Sequence, residues 1–197
     1  MEKLLEEFTR LLNIRLMNSE VLTTEDSFRY TFFAAILYSM DIDPHEVILE
    51  YPHPILHNRL VDTYIPSILD RAGLVVEFKY DKYSGKYNLP RPLKAGKLIN
   101  DLYRLQSFQI DLKAKRWFVY LTDSEMATYL SKKTNGLDSF FNLGKGNSLV
   151  IDKNIINSRS DTFIKNIPHI NDEIFSITCL LSNEMPNKHK LKIYQLN

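Results

Sequence analysis

The sequence predicts an α/β fold in which a mixed central sheet is flanked by helices. Three observations lead to this class. Apolar residues recur at helical spacing over the first 40 residues, short apolar runs with strand periodicity follow up to residue 80, and helix and strand patterns then alternate to residue 132. Three neighbouring strands followed by a helical crossover require a sheet with both antiparallel and parallel pairs.

The first two elements are predicted to be helices. Leucines, together with Phe8, recur every three or four residues over 2–17, which is typical of an amphipathic helix. The threonines at 23–24 offer N-caps for a second helix that continues to about residue 40, and Glu25 suits its first turn. Pro44 ends this helix, because the residue before a proline disfavours helical backbone.

The following elements alternate between strand and helix patterns. Runs rich in β-branched and aromatic residues predict strands, and leucines at helical spacing predict helices. These patterns predict strands over 47–51, 59–65 and 74–80, a loop over 81–92, a helix over 94–105, a strand over 117–121 and a helix over about 124–132.

The C-terminal extension, 134–197, has weaker patterns. They predict a short strand over 148–152, a short helix over 161–167 and a hairpin formed by 173–181 and 191–196. The chain of 197 residues fits a single domain, 1–197. We expect the extension to lengthen the sheet, form a dimer contact or contact DNA, and its pattern does not choose among these roles.

Composition excludes several classes of protein. With 44% hydrophobic and 25% charged residues, the chain is neither collagen-like nor disordered. Its single cysteine, Cys179, excludes an intramolecular disulfide framework and a multi-cysteine zinc site. The first residues carry acids where a signal peptide carries basic residues, and no apolar run is long enough to span a membrane. We therefore expect a cytoplasmic protein with no membrane partner.

Charged residues interrupt two otherwise apolar strands. Asp62 lies within RLVDTYI, and Glu77 and Lys79 lie on one face of LVVEFKY. Unpaired charges in such strands are costly to bury, and a divalent cation between two carboxylates would compensate them. We expect Asp62 and Glu77 to hold Mg²⁺, with the carbonyl of Phe78 as a further ligand. Lys79 would then orient the attacking water or stabilise developing charge during phosphodiester hydrolysis.

VDTYI followed by VVEFK resembles the PD-(D/E)xK nuclease superfamily, which has the restriction-endonuclease-like fold. That fold has the core order α-β-β-β-α-β, which corresponds to about 24–121, half of this chain. The first acid corresponds to Asp62, where Val61 replaces the proline usual in the family, and the second acid and lysine correspond to Glu77 and Lys79. The first core helix of the family often donates another acid, for which Glu25 is the candidate here and Asp26 the alternative.

The resemblance implies a metal-dependent endonuclease that hydrolyses DNA. Its cofactor would be Mg²⁺, with Mn²⁺ able to replace it. The catalytic residues would be Asp62, Glu77, Lys79 and Glu25, and the metal ligands Asp62 and Glu77. Related restriction enzymes usually act as dimers because two strands need two centres, so the resemblance also implies a homodimer.

The distribution of charge favours a nucleic-acid partner, although the net charge is only +1. Residues 1–50 hold 4 basic and 10 acidic residues, whereas 51–133 hold 14 basic and 8 acidic residues. The basic excess peaks after the E-x-K motif, where tyrosines alternate with cations that would neutralise phosphates. The predicted nucleic-acid-binding residues are Lys82, Lys86, Arg91, Lys94, Lys97 and Arg104.

Two alternatives remain open at this point. The chain could be a catalytically inactive nuclease-fold module that binds nucleic acid or a protein partner. It could also be an unrelated α/β protein in which Glu77 and Lys79 form structural ion pairs. Glu50, in the first strand, is expected to pair with Arg59 rather than to bind metal.

Overall fold

The computed structural model describes residues 1–69, 71–82, 88–155, 159–167 and 174–197. These residues contain six α-helices and seven β-strands. The helices are α1 (Glu2–Met17), α2 (Glu25–Met40), α3 (Arg91–Gln106), α4 (Ser124–Ser131), α5 (Asp138–Phe141) and α6 (Asp161–Ile164). The strands are β1 (Ile48–Pro52), β2 (Leu60–Ile65), β3 (Leu74–Asp81), β4 (Lys115–Thr122), β5 (Ser148–Ile151), β6 (Phe175–Met185) and β7 (His189–Leu196).

The strands form one mixed sheet in the order β1-β2-β3-β4-β7-β6-β5. The first three strands are antiparallel, and β3 and β4 are parallel because α3 crosses between them. The remaining neighbours pair antiparallel, so the C-terminal extension lengthens the sheet beyond β4. The predicted α/β class, with a mixed sheet flanked by helices, is confirmed.

Helices cover both faces of the sheet. On one face, α1 and α2 pack on alternate residues of β3 and β4, and Phe78 contacts the rings of Phe28 and Phe32 at centroid distances of 5.6 and 5.1 Å. On the other face, α3, α4, α5 and α6 share an apolar core with β4, β6 and β7. This alternation directs the side chains of Val76 and Phe78 toward α2, as the sequence predicts.

Some element boundaries differ from the predicted ones. Helix α3 begins at Arg91, three residues before the predicted start, because Pro92 occupies its first turn, where proline is tolerated and its fixed φ favours the helix. Helix α5 was not predicted, since four residues are too short for a recognisable period. The predicted start of the hairpin at 173 lies outside the described residues.

Gly96 allows α6 to lie directly against α3. A Cβ atom at position 96 would overlap the carbonyl oxygen of Phe163 and lie 3.0 Å from Cβ of Asn166. Phe163 and Ile167 are buried in the same core as α3. The extension is thereby held against the helix that follows the E-x-K motif.

Among the helices of the described residues, none has the length and apolarity needed to cross a membrane.

Candidate active site

The candidate site lies where β2 and β3 diverge. Their paired residues end at Thr63 and Val76. Beyond that point a side chain replaces the neighbouring strand, since the Asp62 carboxylate accepts the backbone N–H of Phe78 at 2.7 Å. Asp62 is therefore fixed beside the end of β3, with its side chain 19% exposed.

Glu25 makes an equivalent contact one step further along β3. It is the first residue of α2, and its carboxylate accepts the backbone N–H of Tyr80 at 2.8 Å. The same oxygen lies 3.8 Å from the ammonium of Lys79. A helix N-terminus favours a carboxylate at this position, and the helix thus brings Glu25 to the two strands.

Glu77 is buried, with 1% of its surface exposed. The guanidinium of Arg104, on α3, donates to both of its carboxylate oxygens, at 2.6 Å from Nη2 and 3.3 Å from Nε. Paired hydrogen bonds of this kind suit the planar guanidinium and are stronger than those between neutral groups. Arg104 is thus the counter-ion of Glu77.

The pKa of the Glu77 carboxyl depends on burial and on the charges of neighbouring residues. Burial raises the pKa of the Glu77 carboxyl well above its usual range, and the charge of Asp62 raises it further, whereas Arg104 opposes both effects. Two carboxylates that repel each other in a buried site favour a bound cation, which relieves both the repulsion and the loss of hydration.

Asp101 adds another acid on the same side of α3. It lies 3.2 Å from Arg104, and burial raises its pKa to about 6, although Arg104 and Lys79 oppose the shift. Burial also disfavours the ammonium of Lys79, but neighbouring carboxylates, Glu25 foremost, hold its pKa above the ordinary value. Lys79 is therefore charged near neutral pH.

Arg29 is a site residue that sequence reasoning missed. From α2 it approaches Asp62 at 3.3 Å, Glu50 at 3.5 Å and Asp26 at 3.7 Å. The prediction that Glu50 pairs with Arg59 is wrong, because the carboxylate of Glu50 forms its ion pair with Arg29. The four-residue spacing from Glu25 to Arg29, which places them on one face of a helix, was the available signal.

The donor chemistry of Asp62 and Glu77 fits a divalent cation. Mg²⁺ prefers hard oxygen ligands and is commonly held by one or two carboxylates, with water and phosphate oxygens completing its shell. Within the described ranges, no group of three or more His, Cys, Asp or Glu side chains is arranged to hold a metal ion. The protein's part of such a site is this pair of carboxylates, and a metal ion would have to take the place of Arg104 at Glu77.

Three of the predicted nucleic-acid contacts are at the surface. Lys82, at the end of β3, and Lys97, on α3, are exposed. Arg91 is half exposed and forms a 2.8 Å ion pair with Glu125. Lys86 lies outside the described residues.

The other two predicted contacts are directed inward. Lys94 is buried, and its ammonium donates to the carbonyl of Lys82 at 2.9 Å and to the side-chain oxygen of Asn88 at 2.8 Å. These hydrogen bonds of Lys94 connect the residues that follow β3 to α3. Arg104 is held by Glu77 and Asp101, so it belongs with the carboxylates rather than with the surface cations.

A polar cavity of about 340 Å³ adjoins these groups, between the start of β2, α3 and the end of α6. Its lining residues are Arg59, Lys79, Lys97, Asn100, Asp101, Arg104, Lys165 and Asn166. The predicted lysine of the E-x-K motif therefore lies at the wall of a space that a ligand can enter.

The geometry brings Glu25, Asp62, Glu77 and Lys79 together at one end of β3, whereas the predicted nucleic-acid contacts divide between surface and interior. In comparisons with known proteins, the chain matches no family model, no curated protein and no solved structure.

Proposed function

We propose that the chain is a metal-dependent endonuclease that hydrolyses phosphodiester bonds in DNA, with Mg²⁺ held by Asp62 and Glu77 and with Mn²⁺ able to replace it. The observation that carries this proposal is the convergence of a buried carboxylate, a second carboxylate and a lysine ammonium at the point where β2 and β3 diverge. The chain order α2-β1-β2-β3-α3-β4 also agrees with the core order of the restriction-endonuclease-like fold.

Each residue has a separate task in this proposal. Bound Mg²⁺ would polarise a phosphoryl oxygen and make a bound water more acidic. Asp62 and Glu77 would hold the cation through carboxylates that are oriented by hydrogen bonds to Phe78 N–H and to Arg104. Lys79, charged and directed to the cavity wall, stabilises the negative charge that develops on the phosphate. Glu25 positions both Lys79 and the backbone of β3.

Arg104 has a task in the absence of metal. A fully buried, unpaired Glu77 carboxylate would be strongly destabilising, and the guanidinium compensates its charge. A cation held by Glu77 would leave Arg104 paired with Asp101 alone, and its planar guanidinium could then contact a phosphate of the substrate. The predicted role of Arg104 in nucleic-acid binding is thus compatible with its buried position.

The second candidate is a catalytically inactive module of the same fold that binds nucleic acid. The observation in its favour is that Arg104 already satisfies both oxygens of Glu77. In such a module the ion pair would be permanent and would replace the metal.

A cleavage assay separates the two candidates. Duplex, single-stranded and branched DNA, with RNA in a parallel series, would be incubated with the wild type in Mg²⁺, Mn²⁺ or EDTA. The variants are Asp62→Ala and Lys79→Ala. Their controls are Glu184→Ala and Lys190→Ala, which remove one charge each from an ion pair on β6 and β7.

We expect Mg²⁺-dependent cleavage by the wild type and by both controls, and none by Asp62→Ala or Lys79→Ala at unchanged circular dichroism. Cleavage by these two variants at the wild-type rate would overturn the assignment. A wild type that binds DNA but cleaves no substrate in either metal would establish the inactive module instead.

We also propose that the active form on duplex DNA is a homodimer, because each strand needs its own centre. Light scattering of the protein with and without duplex measures the mass of the complex. A complex containing one protein chain that still cuts both strands would contradict the dimer.

A further inference from the structure

The cavity beside Lys79 has a strongly positive wall. Among the lining residues that the structure describes, five of eight are cations and one, Asp101, is an acid. Lys79 and Arg104 lie against carboxylates, so their charges are largely compensated. The other three cations therefore set the charge that an entering ligand meets.

Those three cations are Arg59, Lys97 and Lys165. All three are exposed, and none forms an ion pair with another residue of the described segments. They come from three separate parts of the fold, namely the residue before β2, the outer face of α3 and the end of α6. Exposed lysines are usually scattered, whereas these line one cavity.

We propose that this cavity is a subsite for a backbone phosphate of the nucleic-acid strand, next to the phosphate that is hydrolysed, with Arg59, Lys97 and Lys165 as its contacts. The proposal rests on the proposed function for the identity of the strand. It selects DNA contact among the roles expected for the C-terminal extension, and it gives Arg59 a role in place of the expected pairing with Glu50.

The chemistry of the wall fits a phosphodiester group. A phosphate neutralised by several cations releases condensed counterions, which is the main source of affinity for nucleic-acid backbones. The volume of about 340 Å³ lies within the range of ligand pockets and holds a phosphate with part of its sugar. Asn166, whose side-chain amide donates to the carbonyl of Thr162 at 2.7 Å, is a neutral polar residue of the same wall.

The position of the cavity connects binding with hydrolysis. Its inner wall is formed by Lys79, Asp101 and Arg104, which adjoin Glu25 and Glu77. A strand held by the three outer cations would therefore place its next phosphate beside the candidate metal ligands. This subsite would fix the register of the strand on the enzyme.

The placement of Lys165 depends on a specific feature of the fold. Because position 96 is a glycine, α6 packs directly on α3, and Lys165 follows α6 immediately. Phe163 and Ile167 anchor this segment in the core on either side of Lys165. The lysine is thus held at the cavity by buried neighbours.

Fluorescence anisotropy in EDTA tests the subsite without any cleavage. The probes are labelled duplex and single-stranded oligonucleotides, titrated with the wild type and with the triple variant Arg59→Gln, Lys97→Gln, Lys165→Gln at several salt concentrations. A control triple variant, Lys113→Gln, Lys145→Gln, Lys188→Gln, removes the same charge from lysines elsewhere. Thermal melting checks that every variant folds, and single Lys97→Gln and Lys165→Gln variants serve if the triple variant does not.

We expect the site variant to bind at least about tenfold more weakly and the control to bind nearly as the wild type does. The slope of log affinity against log salt should become shallower by about 1 for each phosphate that the variant no longer neutralises. Equal affinities and equal slopes for the site variant and the control would overturn the subsite.

Inorganic phosphate distinguishes a strand from a free phosphate ligand. If inorganic phosphate raises the melting temperature of the wild type but not of the site variant, and oligonucleotide binding is the same for both, the ligand is free phosphate and the proposal fails. If the site variant loses oligonucleotide binding and the wild type never cleaves, the subsite stands and the nuclease function fails.

Discussion

The two faces of strand β3 differ sharply in what they contact. One face carries Val76 and Phe78, which pack against aromatic rings of α2. The other face carries Glu77 and Lys79, which meet carboxylates and a guanidinium. The same eight-residue strand therefore has one apolar face and one face on which charges are buried.

The apolar face of β3 stabilises the fold through the packing of its side chains against α2. Burial of rings is favourable without any partner, whereas a buried ion pair barely recovers its cost of desolvation. Packing alone would favour another apolar residue at position 77. Packing therefore does not explain the residues of the charged face, and we expect variants on the two faces to lose different properties.

The largest effect is expected from Phe78→Ala on the apolar face. Removing this ring from between Phe28 and Phe32 should lower the free energy of unfolding by about 3–5 kcal/mol, because a cavity remains in the core. Urea denaturation followed by circular dichroism measures this change. A decrease below about 1 kcal/mol would mean that the apolar face is not the stabilising one.

Glu77→Gln should give the opposite result on the charged face. We expect it to lower metal-dependent cleavage about a thousandfold, which corresponds to several kcal/mol of lost transition-state stabilisation. Its free energy of unfolding should stay within about 1 kcal/mol of the wild type, because the glutamine oxygen still accepts a hydrogen bond from Arg104, whose charge stays paired with Asp101. Cleavage and urea denaturation of the same preparation measure both quantities. Unfolding of this variant at room temperature would show that Glu77 serves stability.

The raised pKa of Asp101 predicts a smaller, pH-dependent effect. Its pKa rises from an ordinary 3.8 to about 6 in the folded chain, so the folded state binds the proton more tightly than the unfolded state between these values. Stability should therefore fall as the pH rises through this window, by about 3 kcal/mol in total. Asp101→Asn should flatten the curve of unfolding free energy against pH. An unchanged curve in this variant would contradict the assignment of the titration to Asp101.

The smallest effect is expected at a surface ion pair that belongs to neither face of β3. Lys190 lies 2.8 Å from Glu184, whose side chain is 73% exposed. Such pairs contribute about 0–1 kcal/mol, so Glu184→Ala should change neither the unfolding free energy nor cleavage measurably. A loss of cleavage in this variant would show that an acid far from the candidate site also affects cleavage, and it would contradict the contrast between the two faces.

Much of this contrast was predictable from sequence, because it depends on local periodicity. Strand side chains alternate, so LVVEFKY alone indicates that Glu77 and Lys79 share a face and that Phe78 lies opposite. The start of α3 was predicted too late, because prolines at 90 and 92 favour a loop, although proline also fits a first helical turn.

Contacts between residues far apart in the sequence could not be predicted from local periodicity. Nothing in the local sequence indicates that Arg104 would bind Glu77, 27 residues earlier, or that Gly96 would bring α6 and Lys165 to the cavity. Both depend on how α3 crosses the sheet and on which helices pack beside it. The local sequence therefore indicated the candidate acids Asp62 and Glu77, whereas their counter-ions are apparent only from the fold.

The divergence of β2 from β3 has a consequence for observing this site in solution. The amide protons of Phe78 and Tyr80 are bonded to the carboxylates of Asp62 and Glu25 instead of to a strand. Their NMR chemical shifts and exchange rates therefore depend directly on what those carboxylates bind. Two backbone amides thus act as internal reporters of proton or metal occupancy, and they can be followed without a substrate.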